Sequence, residues 1–190
     1  PTLPPPPTPM PLPSAPRLTV PRQGSFIFYE DFEKGLDRWN LSGGSGGVGW
    51  TRLNAFTCGG AWTMLLGTPE WTPYREVVGE AFLTTKAPID LAKANRPHLF
   101  FDVRGEAEPA EALATQAEVS PDGKVWQPIG EPTTARHRFV STLFADLTPF
   151  RGSGLYLRFR ARLQVRTAPT KGLLLDDIHL IEPDLSAPVR

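Results

Sequence analysis

Hydrophobic and polar residues alternate along several short stretches of the chain, and the longest of them covers residues 155–166. One face of this stretch carries Leu155, Leu157, Phe159, Ala161, Leu163 and Val165. The opposite face carries Tyr156, Arg158, Arg160, Arg162, Gln164 and Arg166. A period of two residues is typical of a β-strand with one buried face. Shorter alternating runs at 98–104 and 113–119 predict further strands.

Turn signals separate these runs, whereas helical signals are weak. Pro121-Asp122-Gly123 follows the run at 113–119, and there proline presets φ while glycine accepts a positive φ. Many short strands without alternating helices predict an all-β fold. We expect an antiparallel β-sandwich over residues 24–184, followed by a C-terminal tail at 185–190.

The N-terminal residues 1–23 differ from the rest of the chain in composition. Ten of the first 22 residues are proline. Such a segment favours polyproline II and predicts an extended stalk or linker. The alternative is a docking segment for a partner with an aromatic groove. The chain begins with proline rather than methionine, which predicts a processed or excised form.

Charge and cysteine content narrow the function classes. The 190 residues include 20 basic and 20 acidic side chains, so the formal net charge is zero. A nucleic-acid binder normally carries a basic excess, and nucleic acid is therefore not an expected partner. The single cysteine, Cys58, excludes an intrachain disulfide. No apolar run reaches the roughly 18 residues of a membrane span.

The chain contains five tryptophans, and those outside the core are candidate ligand contacts. We expect Trp39 and Trp126 in the core. The glycine-rich stretch 43–75 holds four other aromatic candidates: Trp50, Trp62, Trp71 and Tyr74. Exposed aromatic rings on loops are platforms for sugar rings, and the alternative is that these side chains cap the ends of the sandwich.

Four arginines on one strand face, Arg158, Arg160, Arg162 and Arg166, need anionic partners, and the first three are candidate ligand contacts. Carboxylates on neighbouring strands, such as Asp102 or Glu118, are one source. A bound anionic ligand or partner is the other, because the guanidinium fork suits carboxylates and sulfates.

Acidic residues cluster near the two ends of the domain sequence: Glu30, Asp31, Glu33, Asp176 and Asp177. They meet if the first and last strands pair. Clustered carboxylates form calcium sites, paired carboxyls serve glycoside hydrolysis, and Asp or Glu at strand ends also caps turns. Calcium accounts for the cluster better than catalysis does.

Motifs for catalysis are weak. Residues 44–49 match GxGxxG and residues 43–47 match GxSxG by letter, but neither precedes a predicted helix. The three histidines show no metal or catalytic spacing. We therefore expect no enzymatic activity.

An ordered set of motifs resembles MAM-type jelly rolls. The motifs are EDFEKGLDRW at 30–39, LTTKAPIDL at 83–91, LFFD at 99–102, VSPDGKVW at 119–126, DLTPFRG at 146–152, LRFR at 157–160 and LDDIHL at 175–180. Because the chain cannot form a disulfide, it is most similar to the bacterial MAM-like modules attached to secreted proteins such as immune inhibitor A peptidases.

This resemblance implies an all-β, two-sheet antiparallel jelly-roll sandwich, either MAM/concanavalin-like or galactose-binding-like. It also implies an extracellular or cell-surface setting and an adhesive or carbohydrate-binding role. It also implies a structural calcium ion at Asp31, Glu33 and Asp177, together with Asp176. We therefore predict a recognition module for a glycan or an extracellular protein. The alternative is a structural subunit of an extracellular assembly, attached through the proline-rich segment.

Overall fold

A computed structural model describes residues 24–54, 58–67, 77–107, 109–137, 139–165 and 172–184. These residues form thirteen strands: β1 Gly24–Glu30, β2 Trp39–Gly43, β3 Gly49–Leu53, β4 Thr63–Gly67, β5 Val77–Thr85, β6 Ile89–Asp90, β7 His98–Glu106, β8 Leu113–Ser120, β9 Gln127–Pro128, β10 Thr133–Thr134, β11 Ser141–Asp146, β12 Gly154–Val165 and β13 Gly172–Pro183. Short 3₁₀ turns occupy Ala110–Ala112 and Thr148–Phe150.

The strands form two antiparallel sheets. Sheet 1 has the order β11-β7-β13-β4-β3, and β1 also pairs with β13. Sheet 2 has the order β10-β8-β12-β5-β2, with β6 and β9 added at β12 and β8. The first and last strands pair, since Glu30 of β1 lies opposite Ile178 of β13, and this meets the condition under which the acidic residues at the two ends of the domain come together. The architecture is the predicted all-β jelly-roll sandwich.

The core lies between the sheets and follows the alternation of β12. Phe159 has no exposed surface and contacts Trp39 of sheet 2 and Phe101 of sheet 1, at ring-centroid distances of 6.4 and 5.1 Å. The apolar positions from Leu155 to Leu163 are all buried as predicted. Burial of such side chains stabilises the fold by about 1.5–3 kcal/mol each.

The central place of β12 in sheet 2 decides which residues surround its polar face. On one side Arg158 lies opposite Thr84 of β5. On the other side it lies opposite Glu118 of β8. Side chains at directly opposed positions share a face of the sheet. The outward side chains of β5 and β8 therefore flank the arginines of β12.

Among the described residues, no helix has the length and apolarity needed to span a membrane.

Candidate functional site

The outward surface of sheet 2 carries a cluster of arginine, carboxylate and aromatic side chains, here called the arginine face. It consists of Glu80, Phe82, Gln116, Glu118, Trp126, Arg158 and Arg160. Strands β5, β8 and β12 supply all of these residues except Trp126, which precedes β9. Adjacent strands of a sheet lie about 4.8 Å apart, so side chains from these three neighbouring strands lie close together.

Arg158 lies at the centre of the arginine face. Its Nε donates a hydrogen bond of 2.8 Å to Glu118 Oε2, and its Nη2 bonds to the same oxygen. Its guanidinium carbon lies 4.0 Å from the ring centroid of Trp126 and 4.9 Å from that of Phe82. Only 17% of the Arg158 side chain and 6% of the Glu118 side chain are exposed. The ion pair is therefore largely removed from water, between two aromatic rings.

Glu118 also bridges to a second arginine. Its Oε1 lies 3.6 Å from Arg160 Nη1. Arg160 donates through Nε to Glu80 Oε1 at 2.9 Å and through Nη2 to the same atom. The carboxylate of Glu80 raises the pKa of Arg160, chiefly through this hydrogen bond. Two arginines and two glutamates thus form one charge-balanced network.

A tight turn before β9 places Trp126 beside this network. Asp122 Oδ1 accepts hydrogen bonds from the backbone N–H groups of Lys124 at 2.8 Å and Val125 at 3.0 Å, and Ser120 Oγ lies 2.9 Å away. The N–H groups of Val125 and Lys124 lower the pKa of Asp122 to about 2. The turn is therefore held by an ionised carboxylate at neutral pH, which limits the movement of the adjacent Trp126.

Gln116 completes the cluster on β8. Its amide nitrogen donates to the carbonyl oxygens of Ala117 at 2.9 Å and Ile129 at 2.8 Å. These bonds tie β8 to the segment that follows β9. The amide plane is fixed next to Arg160, which lies directly opposite Gln116 in the sheet.

The predicted partners of the arginines are confirmed in one case and wrong in another. Glu118 pairs with Arg158, as expected from their facing positions. Asp102 does not, because it lies on β7 of sheet 1, where it is buried and accepts a 2.6 Å hydrogen bond from Thr142 Oγ1. Arg162 lies on the same face of β12 and is exposed. An alternating pattern identifies the polar face of each strand, but it does not show which strands belong to the same sheet.

Trp39 is buried in the core as predicted, whereas Trp50 and Trp126 differ from the prediction. Trp50 lies on β3 and is 7% exposed, so its predicted position on an exposed loop is wrong. Trp126 was expected in the core, yet it is half-buried and stacks on Arg158. Trp62 is half-buried at the end of the sandwich, beneath the guanidinium of Arg52 at 3.6 Å. Trp71 and Tyr74 lie outside the described residues.

Sequence reasoning missed Glu80, Phe82, Gln116 and Trp126 as members of a shared site. The available signal was the alternation of 77–85, which places Glu80 and Phe82 on one face. Only the strand order shows that this face adjoins the arginines.

The four carboxylates of the predicted calcium site separate into two environments. Asp31 and Asp177 both lie close to the Tyr29 hydroxyl, and burial together with their charges raises the pKa of Tyr29. Glu33 Oε1 accepts backbone N–H bonds from Ala61 at 2.6 Å and Trp62 at 2.8 Å.

Asp176 is buried and accepts N–H bonds from Gly59 at 3.2 Å and Asp177 at 2.9 Å. Burial raises the pKa of Asp176 to about 7. Glu33 and Asp176 thus both hold the segment 58–62. Across the described ranges, no set of three or more acidic, histidine or cysteine side chains is arranged to hold a metal ion. Calcium binding stays a prediction that rests on the resemblance.

Calcium removal tests that prediction. A ligand present at about 100 times its dissociation constant stabilises the folded state by about 2.7 kcal/mol. The melting temperature should therefore fall by several degrees when a chelator replaces calcium, and Asp177→Ala should abolish the difference. Scanning calorimetry of both proteins measures this. Superimposable melting curves for the wild-type protein in calcium and in chelator would contradict a structural calcium ion.

The glycine-rich residues 43–49 form a turn between β2 and β3. Ser45 and Val48 exchange two backbone hydrogen bonds of 2.9 Å. Strand β3 follows directly, so the segment lacks the helix N-terminus that a phosphate-binding loop or a nucleophile elbow requires.

Solved structures with the same fold include carbohydrate-binding modules and an adhesin domain. TmCBM61, in complex with β-1,4-galactotriose, has a TM-score of 0.58 at 14% identity and covers 80% of this chain and 94% of that module. The CBM22-1 xylan-binding domain of Paenibacillus barcinonensis Xyn10C has a TM-score of 0.52 at 16% identity, covering 85% and 97%. The K1 cleaved adhesin domain of Lys-gingipain from Porphyromonas gingivalis W83 has a TM-score of 0.52 at 20% identity, covering 83% and 98%.

These similarities establish the class of fold, a jelly-roll β-sandwich shared with carbohydrate-binding modules. No protein-family model matches the chain, and no curated protein matches it by sequence. The comparisons contain no evidence for the MAM-like or immune inhibitor A resemblance, of which only the jelly-roll sandwich is confirmed.

Proposed function

We propose that this protein is a non-catalytic carbohydrate-binding module that holds a glycan on the arginine face. Sugar rings combine apolar C–H faces with rows of hydroxyl groups. Aromatic rings take the C–H faces, and planar polar groups with fixed donors and acceptors take the hydroxyls. The arginine face presents both kinds of group side by side on the rigid strands of one sheet.

The observation that carries this proposal is the position of Glu118. Its carboxylate is nearly buried, yet it bonds to both Arg158 and Arg160. The network therefore holds two guanidinium planes in place before a ligand arrives. Such preorganisation reduces the ordering cost of binding. Each guanidinium also has more N–H donors than its carboxylate partners occupy, and these donors suit hydroxyl oxygens.

The charge of the arginine face favours an uncharged glycan. Arg158 and Arg160 are balanced by Glu118 and Glu80, so the network has no strong surplus of either sign. One structural neighbour is in complex with β-1,4-galactotriose, and another is a xylan-binding domain. We propose a neutral β-linked polysaccharide as the ligand and an extracellular or cell-surface location, where such polymers occur.

Substitution of Trp126 by alanine tests the proposal. Removal of an aromatic anchor commonly costs about 2 kcal/mol, which corresponds to roughly a 30-fold loss of affinity. We expect that loss for galactan or xylan oligosaccharides in isothermal titration calorimetry. Val125→Ala is the matched control, since the adjacent Val125 side chain is 73% exposed and lies outside the arginine face.

A second variant distinguishes the arginine face from the loop tryptophans. Trp62→Ala alters the aromatic side chain at the end of the sandwich. If it abolishes binding while Trp126→Ala leaves the affinity unchanged, the glycan site lies at that end and the arginine face is a structural network. The absence of binding by folded wild-type protein to any polysaccharide in a broad panel would overturn the proposed function.

A further inference from the structure

The outward surface of sheet 1 carries a continuous row of aromatic rings across four neighbouring strands. Tyr29 of β1 lies opposite His179 of β13, and His179 lies opposite Phe100 of β7. Phe100 in turn lies opposite Phe144 of β11. These four residues, together with Phe26 and His98 in the next row, are here called the aromatic row. Each pairing is a direct register position, so all of these side chains share one face.

The rings of the aromatic row contact one another. The centroids of Tyr29 and His179 are 4.8 Å apart, and those of Phe100 and Phe144 are 5.3 Å apart. His98 stacks on Phe144 at 5.1 Å, and Phe26 meets His179 edge-on at 5.5 Å. These spacings lie within the range of favourable aromatic pairs. The contacts form two groups of rings, one on β1 and β13 and one on β7 and β11, and the two groups adjoin at the facing positions His179 and Phe100.

This surface is exposed to an extent that sets it apart from scattered surface residues. The exposed fractions are 54% for Phe26, 52% for Phe144 and 41% for Tyr29. All three lie on the face of sheet 1 opposite the core, and β1 and β11 place them at its two edges. Exposed aromatic side chains grouped on one face of a sheet are typical of an interaction site.

The chain itself contains a segment whose chemistry suits such a surface. Residues 1–22, ten of them proline, precede β1, the strand that contributes Phe26 and Tyr29. Proline-rich segments dock on aromatic surfaces because polyproline II is already extended and loses little entropy on binding. Three gaps between strands, about 14 Å, separate the edges of the row. About five residues of polyproline II cover that distance.

Charge complementarity favours the same occupant. The only charged side chains in residues 1–22 are Arg17 and Arg22. The aromatic row is flanked by carboxylates at both edges. Asp146 lies 3.9 Å from His98 on the β11 side, and Asp177 lies 3.4 Å from the Tyr29 hydroxyl on the β1 side.

We propose that the proline-rich residues 1–22 bind across the aromatic row of their own chain. The covalent link through residue 23 gives the segment a local concentration of the order of millimolar, so even weak stacking is sufficient for substantial occupancy. The arginine face lies on the opposite sheet. The docked segment therefore leaves the proposed glycan site open, and the failure of one proposal would not affect the other.

Limited trypsin digestion of the full chain tests this docking. Trypsin cleaves after Arg17 and Arg22, and a docked segment is protected in proportion to its occupancy. We expect Phe26→Ser and Phe144→Ser each to raise the cleavage rate at these two sites about fivefold, in line with the loss of a millimolar-range intramolecular contact. Both side chains are more than half exposed, so neither change disturbs the core. Val125→Ser, which removes an exposed apolar side chain elsewhere, should leave the rate unchanged.

Mass spectrometry of the fragments identifies the cleaved bonds, and thermal melting checks that all variants remain folded. Equal cleavage rates in the wild-type protein and in all three variants would overturn the proposal. Digestion at about 5 µM and about 500 µM protein distinguishes docking within one chain from association between chains, because only the second depends on protein concentration. Protection that is independent of concentration supports docking within one chain. Protection that appears only at high concentration, with a dimer in analytical ultracentrifugation, overturns it in favour of exchange between copies.

Discussion

Replacement of Glu118 by alanine should lower the free energy of unfolding by about 3 kcal/mol, because it breaks a largely buried ion pair and leaves the charge of Arg158 without a counter-charge. Arg158 then keeps its position between Trp126 and Phe82 without the carboxylate that neutralises it. Arg160 loses its second contact as well. Urea denaturation with a two-state fit measures the change, and the same variant should lose glycan binding.

Glu80→Ala is the matched control for Glu118→Ala. Glu80 also pairs with an arginine, but 38% of its side chain is exposed. Pairs near the surface contribute about 0–1 kcal/mol. A double-mutant cycle with Arg158→Met isolates the buried pair. If Glu118→Ala and Glu80→Ala cost the same, the network is solvated and is not the preorganised centre of the proposed site.

Replacement of Trp39 by phenylalanine should cost about 2–3 kcal/mol, through a lost hydrogen bond and a cavity. Trp39 Nε1 donates to Glu30 Oε2 at 2.9 Å inside the core, while Glu30 Oε1 accepts the backbone N–H of Phe32, also at 2.9 Å. Phe32 has a positive φ of 57°. Glu30 therefore fastens the strained turn after β1 to the core, and the phenylalanine variant leaves one of its buried oxygens without a donor.

Trp50→Phe provides the comparison in the other sheet. Trp50 is also buried, but its Nε1 has no hydrogen-bond partner among the residues that the structure describes. Removal of an unsatisfied donor offsets the loss of volume, so we expect a change below about 1 kcal/mol. Thermal and urea unfolding of both variants measure the difference. Equal destabilisation would show that ring volume alone matters at both positions.

The period of the hydrophobic pattern was sufficient to predict the strands at 98–104, 113–119 and 155–166 and an antiparallel β-sandwich, whereas the jelly-roll type was predicted from the resemblance. Residues 155–163 alternate in the structure as they do in the sequence, because side chains of a strand point to opposite faces. The sequence also named Glu118 as one of the candidate partners of the arginines, and the structure pairs it with Arg158. The pairing of β1 with β13 was stated from the sequence only as a condition for the acidic residues to meet, and the structure supplies it.

The tertiary structure alone decided which strands are neighbours, and hence which polar faces form a site. Asp102 and Glu118 occupy similar positions in their alternating runs, yet β7 joins sheet 1 and β8 joins sheet 2. Trp50 and Trp126 exchanged their expected roles because burial depends on the sheet and face that a segment reaches, which local sequence does not encode. The aromatic row likewise exists only because strand register aligns residues far apart in the chain. Local alternation determined what each strand presents, and long-range pairing determined what those faces meet.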